Sequence, residues 1–170
     1  MLVRIKSKGF HAAGHRFAIV ASRYNARYVD AMVRAAQAEL RRAGAKRIET
    51  IRVPGAYEIP LVAARLARVA SRGPVEKDQA LSAIICLGVI LRGETVHAAH
   101  IGEAVSRGLM EIQLRSELPV IHEVLLLENE AQARVRCLGP KHNRGAEAAQ
   151  TALAMASVME RLRIEKAGRS

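Results

Sequence analysis

Arg92, Gly93, Thr95 and His97 fall close together, directly after the apolar run Ala83-Ile84-Ile85-Cys86-Leu87-Gly88-Val89-Ile90-Leu91. This spacing reads as a buried strand that empties into a loop, with a helical pattern starting at once. Ligands of open α/β sheets bind beyond the carboxyl ends of strands. Backbone N–H groups at a helix start suit a phosphate. Histidine exchanges protons near neutral pH. The combination points to an enzyme acting on a phosphorylated small molecule. His97 taken alone reads more often as a structural histidine than a catalytic one; its neighbours turn the reading toward chemistry.

Two further segments end strands. In Val53-Pro54-Gly55-Ala56-Tyr57-Glu58-Ile59-Pro60 a carboxylate and exposed backbone follow a strand. This is either a plain strand-to-helix turn, with Glu58 favourable at a helix start, or a binder of a polyol or heterocycle. In Ser22-Arg23-Tyr24-Asn25 the tyrosine is either an ordinary surface or core residue or a ring that stacks on a planar ligand. Three such strand ends at one sheet edge would converge on one crevice. Arg136 reads as a solvated helix residue. Lys141-His142-Asn143-Arg144-Gly145 reads as a helix-start loop or an anion site.

The elements that must position these groups alternate. Residues 17–21 read as a first strand, and Val29, Val33, Ala36, Leu40 and Ala43 recur at helical spacing with a stop at Gly44. Ile48, Ile51 and Val53 mark a second strand, and Pro60 suits the first turn of the helix that follows. Ser71-Arg72-Gly73-Pro74 breaks that helix. Strand three spans 83–91, and Ile101, Val105, Leu109 and Ile112 give a helical face. Strand four spans 119–127. A short helix covers 130–137, and an Ala-rich helix covers 146–163. This alternation predicts an α/β fold with a parallel sheet covered on both faces. Residues 1–16 read as a basic arm, and 17–170 as a single domain.

Composition sets the bounds. The chain has 170 residues, half of them apolar, with 3 % aromatic residues and no Trp. Small aliphatic side chains must therefore fill the core, as suits buried parallel strands. The formal net charge is +11. It reads as a polyanion partner, a basic phosphate site or a solvated basic surface. Arg and Lys are spread through the helices, often beside Glu. With no zinc-ligand spacing, RNP-type aromatic motif or basic-aromatic stripe, no specific nucleic acid is expected. The exception is the start of the chain, where Arg4, Lys6, Lys8, Arg16, Arg23 and Arg27 precede the first acid, Asp30. Cys86 and Cys137 form no disulfide framework, which fits a reducing cytoplasm. No run has the length of a signal-peptide core or a membrane span.

Taken as an ordered set, these segments resemble lumazine synthase, the penultimate enzyme of riboflavin biosynthesis, over nearly the whole chain from about residue 17 to 162. The resemblance rests on Ser22-Arg23-Tyr24-Asn25, the 53–60 segment, Leu87-Gly88 through Arg92-Gly93, Thr95, His97, Pro119-Val120-Ile121 and Asn143-Arg144-Gly145-Ala146-Glu147-Ala148-Ala149. It implies a flavodoxin-like three-layer α/β/α sandwich with a four-stranded parallel sheet. The implied reaction condenses 5-amino-6-(D-ribitylamino)uracil with 3,4-dihydroxy-2-butanone 4-phosphate, giving 6,7-dimethyl-8-ribityllumazine, phosphate and water. No cofactor or metal is implied, since the pyrimidine supplies its own amine.

By motif position, the resemblance implies that Tyr24 stacks on the pyrimidine. Ala56, Tyr57 and Glu58 hold it and its ribityl chain, and Val89, Ile90 and Leu91 line the heterocycle. Glu94 and Thr95 meet the phosphate, and His97 shuttles protons. Arg136 binds phosphate from a neighbouring subunit, and His122 closes the pyrimidine pocket from that side. The implied assembly is a pentamer, alone, paired as a decamer or built into a 60-subunit shell.

This chain departs from the family pattern at Tyr24, where Phe is usual, and at Ala98-Ala99-His100, where an aromatic-Asp-Tyr run is common. It departs again at His122, often Phe, and at Glu94, uncommon beside a phosphate and expected to present its backbone to the anion. Pro140 and His142 replace the usual glycine-rich linker. The competing readings are a non-catalytic flavin or lumazine binder and a basic nucleic-acid-binding assembly on the same scaffold.

Overall fold

A computed structural model of the chain describes residues 12–71, 80–139 and 142–167. The strands are β1 (Arg16–Ser22), β2 (Arg47–Val53), β3 (Leu81–Leu91) and β4 (Val120–Leu127). The helices are α1 (Ala26–Arg42), α2 (Ile59–Ser71), α3 (His97–Ser116), α4 (Glu130–Ala133) and α5 (Arg144–Ala167). All strand pairs are parallel, in the order β2-β1-β3-β4.

β1 and β3 are central, and their continuous apolar runs reflect burial on both faces. Phe17, Ile19 and Ala21 of β1 and Ile85, Leu87 and Val89 of β3 pack with Val29, Met32 and Leu40 of α1 and Ala148, Ala152 and Leu153 of α5. The alternate residues Val20, Ile84, Cys86 and Ile90 pack with Ile59 and Ala63 of α2 and Val105 and Leu109 of α3. The result is the flavodoxin-like three-layer sandwich. β2 is an edge strand, and Val53 is its one fully buried residue.

Chain punctuation explains the boundaries. α1 ends in a Schellman motif: Gly44 takes φ +93°, its N–H donates to the Arg41 carbonyl (2.9 Å), and the Ala45 N–H donates to the Leu40 carbonyl (3.0 Å). α5 starts two residues before its expected start, because Asn143 caps it by accepting from the Gly145 N–H at 2.9 Å. Gly145 is also where α5 meets α1: a Cβ there would run into the Met32 backbone.

The expected helix over 130–137 is corrected. Only Glu130–Ala133 is α-helical, and Arg134–Leu138 form a π turn that ends at the extended Gly139. The wider turn keeps Cys137 buried, and its carbonyl accepts from the Asn143 side-chain amide.

Ala12 is buried and its N–H donates to the Ala43 carbonyl at 2.8 Å, so 12–16 lead directly into β1. Residues 1–11 of the expected arm, Arg72-Gly73-Pro74 of the expected helix break, and Pro140 and Lys141 of the linker lie outside the described residues.

Candidate active site

The exits of β1 and β2 are tied to each other by backbone, and β3 is tied to them by a side chain. The Arg23 N–H donates to the Val53 carbonyl (2.8 Å) and the Tyr24 N–H to the Pro54 carbonyl (3.1 Å). Asn25 adopts the left-handed conformation, φ 56°, which asparagine tolerates better than most residues. Its side-chain amide then donates to the Val89 carbonyl at 2.7 Å. These bonds fix the crevice between β1 and β3, where the strand order reverses, the place where open α/β sheets hold ligands.

A cleft of about 950 Å³ opens there. Val89, Ile90 and Leu91 are among its lining residues, as are Tyr24, Ala56, Tyr57 and Glu58. The tyrosine rings are 70 % and 63 % exposed, so they present faces to an incoming ligand rather than fill the core. Gly55 shapes this wall. Its N–H donates to Glu58 Oε2 at 2.8 Å. A Cβ on it would stand 2.9 Å from that oxygen and 3.2 Å from the Tyr24 ring. The bond fixes Glu58, and a carboxylate retains lone pairs for ligand hydroxyls.

The remaining wall is the start of α3. Thr95 and His97 line the cleft, and Thr95 Oγ1 accepts from the His97 N–H at 3.4 Å. The first-turn N–H groups of α3 are thus at the cleft's rim, where a phosphate is favoured. His100, Ile101 and Ala104 continue the wall along α3. These three were missed in the sequence, although the signal was present: 97, 100, 101 and 104 share one helical face. Asn25 stands in the Ser22-Arg23-Tyr24-Asn25 motif, where the sequence alone gives it no role.

The structure does not bring every expected residue here. Arg92 forks onto Glu128, with both oxygens at 3.0 Å, and belongs to the β4 side. Glu94 is exposed and does not line the cleft. His122, on β4, pairs through Nε2 with Ser106 Oγ of α3 at 2.8 Å. Burial lowers its pKa below the ordinary histidine value, which favours the neutral ring. Arg136 lines a separate cavity of about 620 Å³ with Leu125, Leu126, Leu127, Ala131, Gln132, Val135 and Arg144.

Beside that second cavity lies a buried charge cluster. Arg144 donates to both oxygens of Glu123, at 2.9 and 2.8 Å, and to Glu147 at 2.6 Å. Burial raises the Glu123 carboxyl to about 7, against the attraction of Arg144. Burial also pushes the Cys137 thiol up to about 11.

A doubly wound parallel sheet, with a cleft at its crossover lined by two exposed tyrosines, a carboxylate and the start of a helix, has the flavodoxin-like architecture and opens where such sheets hold small molecules. The sequence profile of 6,7-dimethyl-8-ribityllumazine synthase matches residues 14–160. The 6,7-dimethyl-8-ribityllumazine synthase of Xylella fastidiosa (strain 9a5c) is 41 % identical over 152 residues, covering 88 % of this chain and 93 % of the relative. That of Stenotrophomonas maltophilia (strain R551-3) is 42 % identical over 149 residues, covering 86 % and 90 %. That of Xanthomonas euvesicatoria pv. vesicatoria (strain 85-10) is 41 % identical over 149 residues, covering 86 % and 91 %. The chain belongs to the 6,7-dimethyl-8-ribityllumazine synthase family, transferases of riboflavin biosynthesis. The non-catalytic and nucleic-acid readings are not favoured.

Proposed function

We propose that this chain condenses 5-amino-6-(D-ribitylamino)uracil with 3,4-dihydroxy-2-butanone 4-phosphate in the cleft beyond β1, β2 and β3, as part of a cytoplasmic pentamer. The observation that carries this is the gathering of Tyr24, Glu58, Thr95 and His97 around one apolar-floored cleft. Tyr24 stacks on the pyrimidine. Ala56, Tyr57 and Glu58 hold the ring and its ribityl hydroxyls, and Val89, Ile90 and Leu91 exclude water beneath the ring. Thr95 and the N–H groups around Glu94 and the start of α3 hold the phosphate. His97 moves protons as the imine forms and phosphate leaves.

Arg136 and His122 act on the site of a neighbouring subunit in this reading, which agrees with their absence from the cleft of their own chain. Association is supported by apolar side chains left in water: Leu61 is 72 %, Leu114 70 %, Val135 62 % and Met110 54 % exposed. Met110 and Leu114 lie one turn apart on α3, a spacing that puts two apolar side chains on one exposed face. Among the described residues no helix is long and apolar enough to cross a membrane, and both cysteines are free and buried, as suits a reducing compartment.

The test mixes two impaired parents. His97→Ala and Arg136→Ala subunits, co-expressed with separate tags, form rings in which roughly one interface in four has both residues intact. Activity is expected to rise toward about a quarter of wild type. Mixed rings no more active than the parents' average would show that the two residues do not share a site.

The Gly55 wall gives a separate expectation. Gly55→Ala displaces Tyr24 or Glu58 by a few tenths of an ångström, a strain of about 0.5–1.5 kcal/mol. The KM for the pyrimidine should rise roughly two- to tenfold, with the KM for the butanone phosphate little changed. Initial-rate kinetics varying each substrate in turn check this. An unchanged pyrimidine KM would mean that this wall does not contact the ring.

A further inference from the structure

The second cavity holds two guanidiniums of different standing. Arg136 sits on the exposed π turn, whereas Arg144 is held by Glu123 and Glu147. Glu123 is 8 % exposed, and its two hydrogen bonds engage Nε and one terminal nitrogen of Arg144. It is faced by Arg144 and Glu147 from α5, and by Arg136 and Cys137 from the π turn. With the two arginines and two glutamates charged and the thiol neutral, these groups sum to zero. An anion entering the cavity therefore meets little net attraction.

We propose that Glu123 is an internal counter-ion that sets the anion affinity of this cavity. While ionised it cancels the charge of Arg144, and Arg136 alone is left for a phosphate; once neutral, with Glu147 still on one terminal nitrogen of Arg144, it leaves the cavity with one net positive charge for the anion. This rests on the reading of Arg136 as a phosphate-binding residue. Two further observations support it. The donors that Glu123 occupies belong to a side chain lining the same cavity as Arg136. Burial also brings the loss of the Glu123 charge close to neutral pH. Glu123 touches no reacting atom, so its role is positioning and electrostatic. The sign follows directly: the carboxylate is neutral below its raised pKa, so anions bind more tightly as pH falls through about 7.

Sulfate, whose charge is constant over this range, is the probe, read as a competitive inhibitor against the butanone phosphate. For wild type, the sulfate Ki should be roughly three- to tenfold lower at about pH 6 than at about pH 8, the scale of one partly screened charge contact. Glu123→Gln keeps the shape and an accepting oxygen. It should bind sulfate tightly at both pH values, with the slope gone. A wild-type Ki that does not change with pH overturns the proposal without need of any variant. A slope that survives in Glu123→Gln belongs to another group, and overturns it too. A flat profile at the weak wild-type level means that Glu123 is only a structural staple. Arg136→Ala separates this from the underlying reading. If it changes neither the sulfate Ki nor the KM for the butanone phosphate, the cavity is not a phosphate site and both readings fall. If it weakens both while Glu123→Gln does nothing, only the role of Glu123 falls.

Discussion

His97→Ala is expected to slow single turnover by roughly 10²–10⁴-fold with both substrates saturating, the usual contribution of a positioned general acid–base. Imine formation and phosphate loss both require protons to move between atoms that are poor acids and bases at neutral pH. An imidazole does this near pH 7 without a large shift. His97 opens α3 at the cleft rim, with its own N–H held by Thr95. Alanine leaves the apolar floor, Tyr24, Glu58 and the α3 N–H groups intact, so bound substrates keep their proximity and residual activity remains. The loss should fall on the single-turnover rate, with both KM values changing far less. A rate within about twofold of wild type would remove His97 from the chemistry. His100 follows one turn along the same wall and would then be the group to examine.

Gly145→Ala is expected to destabilise the fold by about 2 kcal/mol or more. Two effects oppose each other. Alanine improves helix propensity by at most about 1 kcal/mol over glycine. Overpacking a well-filled interior costs about 1–3 kcal/mol, and sometimes more. The upper end applies here, because the new methyl meets the Met32 carbonyl group and Cα rather than a side chain that could rotate away. Relief requires α5 to lift from α1, and both carry the buried residues of one core layer. At an m-value of roughly 2 kcal/mol/M, the urea midpoint should drop by about 1 M. It must be compared at fixed protein concentration, since association contributes to apparent stability. A midpoint within about 0.2 M of wild type would show that the two helices separate at little cost.

The sequence was most legible where local pattern and tertiary demand coincide. β1 and β3 are buried on both faces, so their apolar runs announce them, and the loops that follow carry the cleft residues. The α1 stop at Gly44 was readable because its left-handed conformation favours glycine. Legibility failed where the deciding contact is distant in the chain. Periodicity predicts one helix over 130–137, but burial of Cys137 and the Asn143 bond across the linker open it into a π turn. Glu123 looked like any polar residue in a strand, since its partner Arg144 lies 21 positions away. Arg92 belonged by sequence to the phosphate loop, yet Glu128 at the end of β4 holds it elsewhere. His100 stands out in the sequence as a departure from the family pattern, whereas its role in the wall comes from its place on the face of α3.

The two exposed tyrosines have a consequence for measurement. The chain has no Trp and three Tyr. Tyr28 is buried with its hydroxyl on Glu130, while Tyr24 and Tyr57 both line the cleft. Intrinsic ultraviolet emission therefore comes largely from the walls of one site, with no indole elsewhere to drain the excitation. A ring that stacks there will quench it. The unmodified protein thus carries its own optical reporter of occupancy, and titration curves can be read without a label or a coupled assay.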